Sequence, residues 1–265
     1  MFKVVIPARY ASTRLPGKPL RVIAGRPMLQ WVYELAREAQ AQEVWIATDD
    51  ERIAERARAF GAAGEVHVAM TSSAHASGTD RVAEVARAQA WDERQIVVNL
   101  QGDEPLLPPR LVRQAAELLD DYPSADIATL STPVGSLADF LDPNVVKVVA
   151  DATQRVLYFS RAPIPYTRDG QVGADCAPWQ RARRHVGIYA YRSGALQRMA
   201  RLPVSALESA EKLEQLRALE AGFEIRIADG EVPPGPDVNT DADLERVGAL
   251  LVASRLAVPV VRRGS

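Results

Sequence analysis

Cysteine is nearly missing from this chain of 265 residues. Only Cys176 carries a thiol, which excludes an intrachain disulfide or a cysteine-based zinc cluster and fits a reducing compartment. Charge of one sign is missing too: 32 Lys plus Arg face 34 Asp plus Glu, and a net charge of -2 gives no reason to expect a nucleic-acid partner. Long apolar runs are lacking. Near the N-terminus only Val4, Val5 and Ile6 follow Lys3 before Pro7, which is neither a signal peptide nor a membrane span, so a soluble, cytoplasmic protein without membrane insertion is expected. His75 has no Cys or His at metal-binding spacing, which disfavours zinc. The first β-α turn lacks GxGxxG, which argues against a dehydrogenase. No internal repeat or low-complexity tract interrupts the sequence.

What is present is apolar periodicity. With 47% hydrophobic residues the chain can bury a large core, and its length suits a single domain over 1–265 with an inserted lobe at about 140–200. Helical spacing runs from Met28 to Ala39, and short apolar runs at Val44–Ala47, Val66–Met70 and Ile96–Leu100 read as strands. Thr48-Asp49-Asp50-Glu51 reads as a capping box opening a helix that ends near Gly61, and Thr79 or Asp80 as the cap of the next helix. A helix after Pro109 and a strand near Ile127–Leu130 continue the alternation, and Phe223–Ala228 and Leu244–Val252 supply a last strand and helix. Ser205 to Glu208 is a second capping box, opening a helix to Gly222 with Leu207, Ala210, Leu213 and Leu216 facing inward. The alternation predicts an α/β fold with an open, mostly parallel Rossmann-like sheet flanked by helices, whose ligands bind beyond the carboxyl ends of the strands. From Val145 onward VVKVV and VLYFS read as consecutive strands of a small mixed or antiparallel lobe.

The most informative stretch is VVIPARYASTRLPGKPL, Val4 to Leu20. A buried strand stops at Pro7 and empties into a loop with Arg9, Arg14 and Lys18 among the small residues Ala8, Ala11, Ser12 and Gly17. Small residues let backbone approach a ligand, and two guanidiniums with an ammonium neutralise phosphate oxygens. It is not a Walker A loop, because Ser12 stands where the first glycine belongs and Pro19 where Ser or Thr would bind magnesium. Asp103 and Glu104 follow the IVVNL strand, and a carboxylate there suits Mg2+ held with phosphate oxygens and water. Asp103 is the expected ligand, Glu104 a supporting or capping residue.

IPARYASTRLPGKPL resembles the N-terminal signature of the 3-deoxy-manno-octulosonate (Kdo) cytidylyltransferases. Further similar segments follow in order: HASGTDR at His75 to Arg81, NLQGDEP at Asn99 to Pro105, PNVVKVV at Pro143 to Val149, YFSRAPIP at Tyr158 to Pro165, RHVGIYAYR at Arg184 to Arg192 and LEQLRALEAG at Leu213 to Gly222. The resemblance implies transfer of CMP from CTP to the anomeric 2-hydroxyl of Kdo, with magnesium and a homodimer built partly by the lobe; 8-amino-Kdo, sialic acid or a non-catalytic CTP-binding role are the alternatives. Lys18, Asp103 and Arg14 would serve catalysis. Ala8, Arg9, Ser12, Arg14, Lys18, Ser77, Gly78 and Gln101 would hold the nucleotide. Gln101, Arg161, His185, Tyr189, Glu214 and Gln215 would surround the sugar acid, Arg161 clamping its carboxylate. The family's late motif resembles VDTPEDLERV, whereas this chain reads VNTDADLERV from Val238. Asn239 thus stands at the position of a metal carboxylate, and Asp237, two residues earlier on an extended segment, is the expected substitute.

Overall fold

Strand β1 (Phe2–Ala8) forms because Val4, Val5 and Ile6 can bury both faces of one segment, and all three are fully buried. Val4 and Ile6 pack into one apolar core, Val5 into a second on the opposite face, as the alternation of side chains along a strand requires. Each such side chain contributes about 1.5–3 kcal/mol by leaving water. The computed structural model describes residues 1–11, 15–62, 64–168 and 178–257.

A short turn at Lys18–Leu20 follows β1, then the hairpin β2 (Val22–Ile23) and β3 (Arg26–Pro27). The chain continues as α1 (Met28–Glu38), β4 (Glu43–Thr48), α2 (Glu51–Arg58), β5 (His67–Met70), α3 (Gly78–Ala88) and β6 (Ile96–Asn99). Then come α4 (Pro109–Asp121), β7 (Ile127–Pro133), α5 (Leu137–Leu141), β8 (Lys147–Ala150), β9 (Val156–Ser160) and β10 (Arg183–Arg192). The last elements are α6 (Ser193–Met199), α7 (Ala206–Glu211), α8 (Gln215–Glu220), β11 (Ile225–Asp229) and α9 (Asp241–Ala257).

The main sheet has the order β11-β7-β10-β6-β1-β4-β5, with β8 and β9 attached through β10. Its pairs are parallel except along β10, which runs antiparallel to both β6 and β7. Strands β8 and β9 pair antiparallel with each other. The expected mostly parallel sheet with a small antiparallel part is therefore present. What the sequence reading lacked was β10, because RHVGIYAYR drew attention as a motif rather than as a ten-residue strand in the middle of the sheet. From β1 the chain steps outward to β4 and β5, then returns through α3 to β6 on the other side of β1. The crevice at this reversal of strand order is where open α/β sheets bind ligands.

Three helix starts differ from expectation in detail. Helix α2 is capped by Asp50, whose carboxylate accepts the Arg52 N–H, while Thr48 accepts from Asp50. Ser77 caps α3 in a reciprocal box with Asp80, which leaves Thr79 free to point elsewhere. The Ser205 box is present, but the helix it opens breaks at Lys212, which adopts a left-handed conformation at φ 54°. Leu213 and Leu216 are buried as expected, whereas Leu207 and Ala210, before the break, face solvent.

Candidate active site

β1 runs through Pro7, where it was expected to stop, to the buried Ala8, and Gly17 closes the loop that leaves it. The Gly17 N–H donates to the Tyr10 carbonyl at 3.1 Å, and φ there is 65°. A Cβ at Gly17 would lie 3.2 Å from the Tyr10 ring, so glycine is required twice over, by conformation and by contact. Arg52 stacks its guanidinium over that ring at 3.5 Å. These contacts fix both described ends of the loop, Arg9 and Lys18. Ser12, Arg14 and Cys176 lie outside the described residues.

A cleft opens at the carboxyl ends of β1, β5 and β6. Ala8, Arg9 and Lys18 line it from the first loop, Ser77 and Gly78 from the start of α3, and Gln101 and Asp103 from the loop after β6. The nucleotide-binding residues expected from sequence that fall within the described residues thus meet around one space. Gly102 sits so close to Pro7 that a Cβ would stand 3.2 Å from the Pro7 carbonyl oxygen, which lets the β6 loop lie against the end of β1.

Lys18 Nζ donates to Asp103 Oδ2 at 2.7 Å and to Asn239 Oδ1 at 3.4 Å, and Asn239 Nδ2 donates to Asp237 Oδ2 at 2.6 Å. The Val238 N–H donates to the Asp103 carbonyl at 2.9 Å, pinning the late segment to the β6 loop. Asp103, Asn239 and Asp237, far apart in sequence, therefore share one corner. Next to it Glu104 is half-buried, and its solvent-shielded Oε2 has no hydrogen-bond partner among the described residues. Burial first, then the fields of Asp103 and Asp237, push its pKa up to about 8 against the opposing pull of Lys18, so it is mostly protonated at neutral pH.

Most of the residues expected around a sugar acid lie on β10, which carries His185 and Tyr189, and at the start of α8, which carries Glu214 and Gln215. His185 Nε2 sits 3.0 Å from Thr129 Oγ1, with the Phe159 ring edge-on at 5.0 Å. Burial, helped by Arg184, pushes its pKa down to about 3 and keeps the imidazole neutral. Tyr189 packs against His185 and Tyr191, and its hydroxyl is buried without a partner among the described residues. Burial raises its pKa well above the usual range. Glu214 accepts hydrogen bonds from Ser77 Oγ and Thr79 Oγ1, both at 3.0 Å. Its pKa is nevertheless raised, because burial outweighs those two bonds and the nearby Arg217. Gln215, the first residue of α8, is buried beside it.

Arg161 is differently employed. Its guanidinium donates to the backbone carbonyls of Glu211 at 2.6 Å, Pro143 at 2.8 Å and Lys212 at 3.5 Å. Lys147, fully buried, donates to the Arg161 carbonyl at 2.8 Å and to those of Asp142 and Val145. Together the two cations bind the segment from Asp142 to Val145 to the end of α7, so Arg161 can clamp a carboxylate only by exchanging these bonds.

Sequence reasoning missed Arg81. It lines the cleft from α3 while buried, paired with Asp49 at 3.0 Å and bonded to Thr71, which ties the ends of β4 and β5 together. An arginine one residue before the apolar Val82 and Ala83 was the available signal. Glu84 was missed as well; it accepts from Ser72 N–H and pairs with His75, holding the loop that leads into Ser77.

Arg9 and Lys18 lining one cleft, an acidic corner beside them and polar side chains on β10 and α8, all about one parallel-sheet crevice, fit a nucleotidyltransferase. The chain belongs to the cytidylyltransferase family, whose model matches residues 3–227. It is 52% identical over 254 residues to a 3-deoxy-manno-octulosonate cytidylyltransferase of Thioalkalivibrio sulfidiphilus, covering 95% of this chain and 99% of that one. To the enzyme of the same name from Cellvibrio japonicus it is 54% identical, with 94% and 98% covered. Among solved structures, a CMP:2-keto-3-deoxy-manno-octonic acid synthetase complexed with CTP superimposes with a TM-score of 0.86 at 46% identity, over 96% of this chain and all of that one. A cytidylyltransferase from Leptospira borgpetersenii, 17% identical with a TM-score of 0.61 over 95% of this chain and 87% of its own, shares the fold. No helix among the described residues is long and apolar enough to cross a membrane.

Proposed function

We propose that this enzyme transfers CMP from CTP to the anomeric 2-hydroxyl of Kdo, releasing pyrophosphate and activating the sugar for lipopolysaccharide synthesis. The observation that carries this reading is near-full-length similarity to Kdo cytidylyltransferases, joined to a TM-score of 0.86 against a CTP complex of a synthetase for the same sugar. Direct in-line transfer needs no covalent enzyme intermediate, so the protein's work is positioning and charge neutralisation. Lys18 and Arg9 would hold the triphosphate and stabilise departing pyrophosphate, with Ala8 offering close backbone approach. Ser77, Gly78 and Gln101 line the cleft where the cytidine end would lie. His185, Tyr189, Glu214 and Gln215 would bind the sugar acid. For that task a neutral imidazole and an unpartnered buried hydroxyl are well suited, since each can bond a sugar hydroxyl without shedding charge.

Magnesium fits the donor set. Asp103, Asn239 and Asp237 bring oxygens to one corner, and the fields of Asp103 and Asp237, which push the neighbouring Glu104 toward its protonated form, mark that corner as negatively charged. Among the described residues no three His, Cys, Asp or Glu side chains gather as a metal cage, which agrees with an ion that relies on phosphate oxygens and water for most of its shell. When bound, such an ion would neutralise charge on the α-phosphate and acidify the attacking hydroxyl. Asp103 would be its main protein ligand, with Asn239 or Asp237 beside it.

We further assign the enzyme to the cytoplasm as a homodimer. Exposed Leu141, Leu157 and Tyr166 in or beside the lobe support a second copy there, and sedimentation equilibrium at monomer mass would refute it. The reaction itself is tested by pyrophosphate release with CTP, magnesium and Kdo, using 8-amino-Kdo, sialic acid and the other nucleoside triphosphates as controls. Release that requires both CTP and Kdo is expected. CTP binding without release on any acid would favour the non-catalytic alternative that Asn239 suggests.

A further inference from the structure

The acidic corner already contains a cation. Lys18 Nζ lies 2.7 Å from Asp103 Oδ2 and 3.4 Å from Asn239 Oδ1, and its side chain is only 13% exposed, against 34% for Asp103. The ammonium thus sits on the two oxygens that would face a divalent ion, on the inner side of the carboxylate. Asn239 is oriented to match, its carbonyl toward Lys18 and its amide donating to Asp237 at 2.6 Å. A magnesium ion needs its oxygens at about 2.0–2.1 Å, so one bonded to the same Asp103 oxygen would crowd the ammonium and be repelled by it. The same lysine, on the loop that closes at Gly17, also lines the cleft beside Arg9, within reach of a phosphate. It therefore has two anionic partners to choose between, one built in and one delivered by the substrate.

We propose that Lys18 is the resident cation of the Asp103–Asn239–Asp237 corner in the nucleotide-free protein, so that a divalent ion gains the corner only together with a nucleoside triphosphate whose phosphates draw the ammonium away. The inference rests on the metal–nucleotide reading of the site and adds an order to it. The protein by itself discriminates against free divalent ions, and the metal and triphosphate arrive as one unit. The asparagine at 239 favours this arrangement, because its neutral amide oxygen accepts from Lys18 without adding the charge that would strengthen the corner's attraction for a divalent ion.

Titrating the full-length protein with Mn2+ and following the paramagnetic resonance of the free ion tests this directly, without turnover. Without nucleotide, wild type should bind Mn2+ at least ten-fold more weakly than Lys18→Met, and adding CTP should tighten wild-type binding by at least the same factor. The gain in Lys18→Met should vanish on adding Asp103→Asn. Equal nucleotide-free affinities of wild type and Lys18→Met, with CTP-dependent binding intact, would overturn the resident-cation role alone. Absence of Mn2+ binding even with CTP would overturn the metal–nucleotide reading as well. A measurement on chain of unaltered sequence avoids any folding defect: lysines number four, Lys3, Lys18, Lys147 and Lys212, so reductive 13C-methylation gives few signals. Saturating CTP in EDTA should shift the Lys18 methyl resonance, identified by its loss in Lys18→Arg. An unmoved Lys18 signal would overturn the exchange of partners.

Discussion

The two halves of the cleft solve opposite electrostatic problems. On the β1 and β6 side, cations and carboxylates are matched in pairs, Lys18 with Asp103 and Arg81 with Asp49, with Glu104 beside them pushed toward its neutral form. Along β10, burial removes charge instead. His185 is held neutral with its pKa near 3, and Tyr189 keeps its proton. On the proposed reading the first half would receive a highly charged triphosphate, so its ions need partners they can exchange. The second half would receive hydroxyls, and a charge there would cost desolvation without return. Glu214 joins the halves, reaching from the buried side to the hydroxyls of Ser77 and Thr79 on the nucleotide side.

The largest effect expected on this division comes from Asp103→Asn. Losing the carboxylate of the charged half should lower kcat by about three orders of magnitude, the scale set by removing a group that stabilises transition-state charge, while leaving thermal unfolding little changed. Near-normal turnover across a magnesium titration would show that the charged half does not depend on this residue.

The neutral half predicts a pH signature. His185 in the unfolded chain titrates near 6.5 and in the folded protein near 3, so between those values the unfolded state binds the extra proton. Stability due to neutral His185 is complete above pH 6.5 and is lost as pH falls toward 3. At pH 5 the loss should reach about 1–2 kcal/mol. In His185→Gln the acid limb of a urea-denaturation profile between pH 7 and 5 should flatten; an unchanged limb would mean that the imidazole is solvated and that the halves differ less than the geometry indicates.

Glu214→Ala tests the link between the halves. Removing a half-buried, doubly hydrogen-bonded carboxylate costs about 1–3 kcal/mol, and we expect KM for the sugar acid to rise about ten-fold. Because Ser77 and Thr79 lose their partner, KM for CTP should rise as well, by a smaller factor. A change confined to one substrate would separate the halves.

How legible these features were depends on how local they are. β1, α1, β4 and β6 could be read from Val4–Ile6, the Met28–Ala39 stripe and the uniform apolar runs, because burial on a parallel sheet leaves a pattern within each segment. Strand β10 was not read although Val186, Ile188 and Ala190 alternate into one core, and its place between β6 and β7 is a long-range choice. The break at Lys212 was equally hidden, for lysine gives no sign of a left-handed conformation. In the site, Lys18 and Asp103 were legible as loop residues after strand ends, and Ser77 and Gln101 through the family resemblance. The commitment of Arg161 to three carbonyls, and the burial of Arg81 against Asp49, depend on partners brought together by the fold.

The smallest effect, and the most discriminating one for the acidic corner, is expected from Asn239→Asp. The new carboxylate would add charge where magnesium is read to bind, but it would lose the amide that now donates to Asp237 at 2.6 Å and would face that carboxylate instead. Repulsion should turn one of the two outward, so the net gain is that of less than one extra ligand. The magnesium concentration giving half-maximal velocity should fall about three-fold, a difference of roughly 0.6 kcal/mol at RT ≈ 0.59 kcal/mol, with kcat nearly constant. If the magnesium requirement does not move, Asp237 already supplies the charge that Asn239 lacks. In that case Asp237→Asn should raise the requirement in the native background and have little effect beside Asn239→Asp. The opposite pattern, with Asp237→Asn silent in both backgrounds, would leave Asp103 as the protein's sole anionic hold on the metal and make the nucleotide's own phosphates responsible for the rest.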